Sequence, residues 1–176
     1  AATYRKAVGN AKFSGTLRRI QVSPFKFTLD KSSVSGEAGI KRGTRDDIML
    51  IINADMINFD NYISSLPNEE REKNWAQRMA YRFSKLGFLN DFDMQITARM
   101  DVGIYEKMPF EKVNFQASLL DGKMDISNLQ IGSVASSKIE LSGQLNGFGK
   151  TPTFKGLNFN IQTDNVAALI NKLEFK

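Results

Sequence analysis

The stretch that decides the fold is residues 92–104, FDMQITARMDVGI. Its apolar side chains occupy every second position, and the positions between them are polar or glycine. Alternation with a period of two places the two sets on opposite faces of a β-strand. Thirteen residues at about 3.3 Å each predict a strand about 43 Å long, roughly twice the usual length. One face of this long strand is apolar, so something must cover it.

The same alternation recurs through most of the chain. We expect a strand over 11–22, an interruption at Pro24, and further strands through 25–29, 34–41 and 48–54. In the second half, Asp121-Gly122 is a strong hairpin signal, and a bulge is expected at Ser127-Asn128. We therefore predict a mainly β fold: a long, curved antiparallel sheet of about nine strands, with one amphipathic helix and short helical turns, in a single domain over 1–176.

One segment, 68–86 (NEEREKNWAQRMAYRFSKL), predicts a helix. Glu69 and Glu70 suit the positive end of the helix dipole, and Gly87 suits the helix end. Its apolar side chains repeat at helical spacing, and basic side chains occupy much of the remaining surface. Such a helix covers the domain's own sheet or lies on a membrane surface, and both interpretations stay open. It separates two loosely similar units, 11–66 and 88–173, in each of which a strand ends at an Asp before a short helical turn.

Composition excludes several classes of function. The 176 residues contain neither Cys nor His, which removes disulfides, thiolate metal sites, zinc-hydrolase ligand sets and Ser-His-Asp triads. The net charge of +5 favours anionic surfaces, although the Lys and Arg residues are scattered. No apolar run is long enough to span a membrane. Because the chain opens AATYRK, we expect a fragment or mature form of a longer protein.

Motifs for chemistry are weak. Residues 143–151, GQLNGFGKT, miss the first glycine of a phosphate-binding loop, and Pro152 would break the helix that must follow. Asp91, Asp93 and Asp101 lie on or beside the polar side of the long strand, where carboxylates are usually solvated rather than catalytic. The phenylalanines lie among the aliphatic residues, which argues against a nucleic-acid surface. We predict a protein that is not an enzyme, with no cofactor, no metal and no nucleic-acid partner.

Two segments resemble a known family. IINADMINFDNYI (51–63) and FQASLLDGKMDISNLQIGSVASSKIELSGQLNG (115–147) are similar to segments of the AsmA-like family, and the resemblance extends over about 12–173. It implies a β-groove of the kind found in bridge-like lipid carriers. Such proteins are anchored in the bacterial inner membrane, project into the periplasm, and contribute to phospholipid transport and outer-membrane integrity. Neighbouring β-groove units of the same protein would be partners.

A lipid-binding groove would be lined by the apolar side of the long strand and by residues beside it. The candidates are Phe27, Met94, Ile96, Ala98, Met100, Val102, Ile104, Phe115, Leu141 and Phe159. Phospholipid acyl chains would lie along them, and helix 68–86 could contact the membrane. The alternative is a structural or docking domain in which the same side chains form a closed core, assisting outer-membrane protein assembly through an open sheet edge. Large exposed apolar patches are rare in soluble domains, so the residues alone favour the closed core and the resemblance favours the groove.

Overall fold

The computed structural model describes residues 6–61 and 75–167. Within these two ranges the chain forms nine strands, the number that the alternation predicts. They are β1 (Ala7–Thr16), β2 (Arg19–Leu29), β3 (Ser32–Lys41), β4 (Asp46–Asn58), β5 (Phe92–Tyr105), β6 (Met108–Leu120), β7 (Lys123–Val134), β8 (Ser137–Asn146) and β9 (Thr153–Thr163). A helix, α1 (Trp75–Ser84), and two 3-10 turns, Phe59–Asn61 and Gly87–Asn90, lie between β4 and β5.

The strands form one sheet in the order of the chain, β1 to β9. The sheet is not closed, because β1 and β9 are its two edges. All neighbouring pairs are antiparallel except β4 and β5, which are parallel. The sheet is therefore mixed at this one junction, a detail that the predicted antiparallel sheet did not include. A parallel pair needs a long crossover, and the segment containing α1 provides it.

Bulges keep the apolar side chains on one face where the alternation breaks. The pairing of β7 shifts between Ile126 and Leu129 on one side, and the partner strand β6 shifts between Gln116 and Ala117 on the other. The extra residue moves Leu129 to the face that Ile126 occupies, which confirms the bulge expected at Ser127-Asn128. In β2 the pairing shifts between Val22 and Phe25, on either side of Pro24.

Four predicted boundaries differ from the structure or lie outside it. The strand predicted to end at Asp55 continues to Asn58, and the 3-10 turn follows it. The strand expected over 11–22 is wrong: the chain turns at Leu17-Arg18, so β1 ends and β2 begins within that segment. Thr16-Leu17-Arg18-Arg19 contains none of the residues that usually mark a turn, which is why periodicity missed it. The structure contains α1 from Trp75, and 68–74 lie outside the described residues. The same holds for most of the helical turn expected after Asn165.

Among the described residues, the main cluster of buried apolar side chains is small and lies at one end of the sheet. It consists of Phe83 from α1, Leu119 from β6, Leu145 from β8 and Phe148 from the β8–β9 loop. The rings of Phe83 and Phe148 stack with centroids 5.5 Å apart. The last turn of the helix segment and the 3-10 turn add Leu86 and Leu89 around this cluster. We call this cluster the sealed end.

The β5–β6 hairpin contacts α1 at its closed tip and near its open end. Arg82 lies over the ring of Tyr105 at 5.3 Å and pairs with Glu106 at 3.6 Å, both at the closed tip of the hairpin. The next helix residue, Phe83, packs on Leu119 near the other end of β6. Met108, at the start of β6, and Leu119 would be about 36 Å apart in a straight strand. Two adjacent helix residues thus reach toward opposite ends of β6, and Lys112, with φ of 56°, gives the strand an irregular backbone midway between them.

Candidate functional site

Strand register gathers the predicted groove residues on one face of the sheet. Paired residues of neighbouring strands share a face, so a row can be followed across the sheet. One row, through Ala98, is Ala11, Phe25, Gly36, Ile52, Ala98, Phe115, Leu129, Leu141 and Phe159. The next, through Met100, is Gly9, Phe27, Val34, Ala54, Met100, Val113, Ile131, Ile139 and Ile161.

Two further rows extend this face toward the sealed end. The row through Ile96 is Phe13, Val22, Ala38, Leu50, Ile96, Ala117, Ile126 and Gly143. The row through Met94 is Gly15, Ile20, Ile40, Ile48, Met94, Leu119, Met124, Leu145 and Phe154. None of these four rows contains a polar side chain. We call them together the apolar face.

The apolar face ends beyond the row through Met100. Val102 pairs with Glu111, which pairs in turn with Ser133, and Ile104 pairs with Pro109. Val102 and Ile104 therefore follow Met100 on β5 as predicted, but their neighbours no longer continue the apolar rows. The polar and prolyl neighbours mark one boundary of the apolar face, and the sealed end marks the other.

Much of the apolar face remains accessible. Phe27 is 39% exposed and Phe159 is 58% exposed, whereas Met94, Ile96, Ala98, Met100, Phe115 and Leu141 are half-buried. Within residues 6–61 and 75–167, one sheet is present, so no second sheet packs on this face. Gly9 makes room for the ring of Phe27, because a Cβ at Gly9 would lie 2.1 Å from the ring atom Cδ1.

The helix covers part of the sheet, as one of the two interpretations of its sequence predicts. Phe83 is 8% exposed and lies in the sealed end. The side chains of Trp75, Ala76 and Met79 are outside what the structure describes. Membrane contact by the helix stays a prediction.

The opposite face of the sheet is mostly polar. The row through Arg99 on this face is Asn10, Lys26, Ser35, Asn53, Arg99, Asn114, Gln130, Glu140 and Asn160. Within it, Glu140 accepts hydrogen bonds from Lys138 at 3.1 Å, Gln130 at 3.1 Å and Asn160 at 3.4 Å. These donors, Lys138 first, lower the pKa of Glu140. One face of the sheet is thus apolar and the other mostly polar, from β1 to β9.

Of the three carboxylates on or beside the long strand, Asp93 is held by hydrogen bonds. Asp93 accepts a hydrogen bond from the backbone N–H of Asp121 at 2.9 Å and one from Arg45 Nε at 3.1 Å. The Asp121 amide, and then Arg45, lower the pKa of Asp93. A general acid needs a shift in the opposite direction. Asp101 and Asp91 are exposed.

Pattern reasoning missed two features. One is Asn90, whose side chain donates to the carbonyl oxygens of Gly87 and Phe148, each at 2.9 Å, and so holds the β8–β9 loop against the 3-10 turn. The other is a shallow, open concavity of about 620 Å³ where β7, β8 and β9 meet, lined by Ser127, Asn128, Glu140, Ser142, Asn158 and Asn160 among others. The Gly147-Phe148-Gly149 loop was the sequence signal near the Asn90 contact. The bulge at Ser127 was the sequence signal near the concavity.

The fold and its apolar face define a class of protein: an open, single-sheet β domain with one continuous apolar face and one polar face. Among the described residues, no cluster of three or more carboxylates could hold a metal ion, and no helix is long and apolar enough to cross a membrane. Comparison with protein-family models, with curated proteins and with solved structures finds no match to this chain.

Proposed function

We propose that this chain is a periplasmic module of the AsmA-like type that binds lipid acyl chains along its apolar face. The observation that carries the proposal is the continuity of the four apolar rows, together with their partial exposure. A tail of about fifteen methylenes would gain roughly 0.8 kcal/mol for each methylene removed from water, or about 12 kcal/mol before the costs of binding. No polar pocket is needed for this, so binding would depend little on the head group.

The direction of the rows supports movement from unit to unit. The rows run perpendicular to the strands, and a row that crosses all nine strands takes eight steps of about 4.8 Å, which gives it a length near 38 Å. The rows through Ala98 and Met100 reach both edge strands. A neighbouring β-groove unit paired to β1 or β9 would extend the same rows. The parent protein would then carry phospholipid between an inner-membrane anchor and the outer membrane.

A photocrosslinker tests the proposal at matched positions. A photoreactive residue replaces Met100, on the apolar face, or Arg99, its neighbour on the polar face. After irradiation in bacterial cells, mass spectrometry should find lipid attached at Met100 and not at Arg99. Lipid capture at neither position, or equally at both, would contradict acyl-chain binding on this face.

The second candidate is a docking domain that pairs its open edges with a partner strand. Two long edge strands, β1 and β9, favour it, as does the sealed end, which resembles the core of an ordinary domain. Replacing Ile96 with Asp separates the two. In a closed core the buried charge should unfold the domain. In an open groove the variant should stay folded, by circular dichroism, and lose bound lipid.

A further inference from the structure

Five turns meet at one end of the sheet and are joined by hydrogen bonds. They are 17–18, 42–45, 85–91, 121–122 and 147–152. The backbone N–H of Arg42 donates to Arg18 O at 2.9 Å, which links the first two. Arg45 then donates to Asn90 O at 2.8 Å and to Phe92 O at 3.1 Å. The Asp121–Asp93 and Asn90–Phe148 hydrogen bonds described above join the remaining two turns, so this end, which we call the basic rim, is one connected surface.

The basic rim differs in charge from the opposite end of the sheet. Its five turns contain five basic residues, Arg18, Arg42, Arg45, Lys85 and Lys150, and two acidic ones, Asp91 and Asp121, which leaves three positive charges. The far end comprises Lys6, the turns 30–31, 59–61, 106–107 and 135–136, and residues 164–167. It contains three basic residues, Lys6, Lys31 and Lys107, and four acidic ones, Asp30, Asp60, Glu106 and Asp164, which leaves one negative charge. The positive charge of the described domain is therefore concentrated at the rim.

Large apolar side chains project from the basic rim beside these charges. Leu17, at the tip of the β1–β2 turn, is 94% exposed and is followed directly by Arg18 and Arg19. Leu120 is 66% exposed before the β6–β7 turn, and Phe88 is 55% exposed in the 3-10 turn. Single exposed leucines are ordinary on protein surfaces. Three large exposed apolar side chains on one basic surface are instead typical of an interaction surface.

We infer that the basic rim docks on the surface of an anionic lipid bilayer. Leu17, Phe88 and Leu120 enter the interface, and Arg18, Lys85 and Lys150 contact the head groups. Apolar and basic side chains together are the pattern of interfacial membrane binding, in which buried apolar area and attraction to anionic lipid add. A nucleic-acid surface would instead offer aromatic rings for stacking, and two of the three projecting side chains are leucines.

This docking does not require the apolar face to carry lipid. If it does, the geometry is favourable, because the row through Ile20, Ile40 and Ile48 is the apolar row nearest the basic rim. On that side of the sheet, a tail leaving the bilayer would meet an apolar row directly. The docking and the binding of acyl chains are measured separately below.

The test uses the absence of cysteine from the chain. Single-cysteine variants Leu17→Cys and Val8→Cys are labelled with the environment-sensitive fluorophore NBD. Val8 is the matched control, since it is 60% exposed and lies near the far end of β1. Vesicles contain phosphatidylcholine alone or phosphatidylcholine with phosphatidylglycerol. The label at Leu17 should shift to the blue and brighten with phosphatidylglycerol only, and the label at Val8 should not change.

Other outcomes overturn the inference. An unchanged spectrum at Leu17, or equal changes at both positions, would show that the rim does not insert. Co-sedimentation with phosphatidylglycerol vesicles without any spectral change at Leu17 would also overturn it, because the protein would then bind the vesicles without placing Leu17 in the interface.

Charge variants give a second measurement. The double variant Arg18→Gln/Lys150→Gln should lower partition to phosphatidylglycerol vesicles by about 25-fold, at about fivefold for each basic residue at an anionic surface. The control, Lys31→Gln/Lys107→Gln at the far end, should partition like the parent protein. Both should bind a fluorescent fatty acid in vesicle-free solution as the parent does, so a failure of docking is distinguishable from a failure of acyl-chain binding. Equal partition of the two variants would contradict the assignment.

Discussion

The apolar row through Met94 has different surroundings in the two halves of the sheet. In β2, β3 and β4 it contributes Ile20, Ile40 and Ile48, which are exposed or half-buried and lie outside the sealed end. In β6 and β8 it contributes Leu119 and Leu145, which lie under Phe83 and Phe148. Neighbouring strands of one sheet thus have equivalent side chains, and only the crossover and the β8–β9 loop decide which of them are buried.

This difference teaches where the fold obtains its stability. Among the described residues, Leu119 is the most deeply buried large side chain, at 2% exposed, whereas the described part of the first half buries Ala54 alone among its apolar residues. Burial of a leucine contributes roughly 1.5–3 kcal/mol, so the sealed end should hold a large share of the packing energy. In the first half the apolar side chains stay partly exposed to solvent. There the backbone hydrogen bonds between strands contribute the larger share of the stability.

Truncating one leucine in each half gives the largest expected contrast. Leu119→Ala should lower the free energy of unfolding by about 3 kcal/mol, since it removes buried contacts and leaves a cavity. Leu50→Ala, one row away and half-buried, should lower it by about 1 kcal/mol because less area returns to water. Urea denaturation monitored by circular dichroism measures both. Equal losses would mean that the first half is covered as well as the second.

A glycine pair in β3 tests how closely the strands of the first half approach. A Cβ at Gly36 would lie 1.8 Å from the carbonyl oxygen of Ile51, so Gly36→Ala should require a backbone shift and cost about 2 kcal/mol. Gly39 is the control on the same strand, because the nearest atom to its added Cβ is 3.8 Å away. Gly39→Ala should be neutral or slightly stabilising. Thermal unfolding of the two variants is the measurement, and a tolerated Gly36→Ala would contradict the close approach.

Alternation alone predicted most of the sheet. It identified the long strand β5, the apolar face on which Met94 to Met100 lie, and the bulge in β7, because each depends on side-chain parity within one strand. A period of two is a local property, and a strand with one polar face cannot slip by a single residue without reversing both faces. The ten candidate groove residues therefore follow the parity of their strands.

What alternation could not predict depends on contacts between distant segments. The turn at Leu17-Arg18 has no turn residues, and its apolar tip continues the pattern of a strand. The parallel pairing of β4 and β5 depends on where the crossover lies, which periodicity does not encode. The sealed end joins α1 to a glycine loop 65 residues later, from Phe83 to Phe148. Neither residue has a sequence signal that points to the other.

Arg45 joins the two halves, and its loss should have a moderate effect. It lies in the β3–β4 loop and donates to the carbonyl oxygens of Asn90 and Phe92 in the second half. Arg45→Gln should lower the free energy of unfolding by roughly 1 kcal/mol, the scale of the hydrogen bonds lost. Arg42→Gln is the control: its ion pair with Asp46 lies at the edge of the same loop and is largely exposed, so little should change. A loss as large for Arg42 as for Arg45 would show that the loop, rather than the bridge, matters.

The smallest effect is a pH dependence of the same bridge. The backbone N–H of Asp121 and the guanidinium of Arg45 lower the pKa of Asp93. The carboxylate therefore contributes its full stability above the ordinary pKa of an aspartate, and the contribution disappears as the pH falls through the lowered value. The parent protein and Asp93→Asn should differ in melting temperature at neutral pH, and the difference should shrink in strongly acidic solution.

The titration of Asp93 can be followed directly at the residue that bridges the halves. In NMR spectra the Nε–Hε resonance of Arg45 should shift with the same midpoint as the Asp93 carboxyl carbon, since the two atoms are hydrogen-bonded at 3.1 Å. Glu140 supplies the comparison, because its lowered pKa comes from Lys138, Gln130 and Asn160, all within the second half. Its titration should leave Arg45 unchanged. A midpoint for Asp93 at the ordinary value would mean that its carboxylate does not hold the Asp121 amide and Arg45 in solution, and the Arg45–Asp93 link between the halves would then be absent.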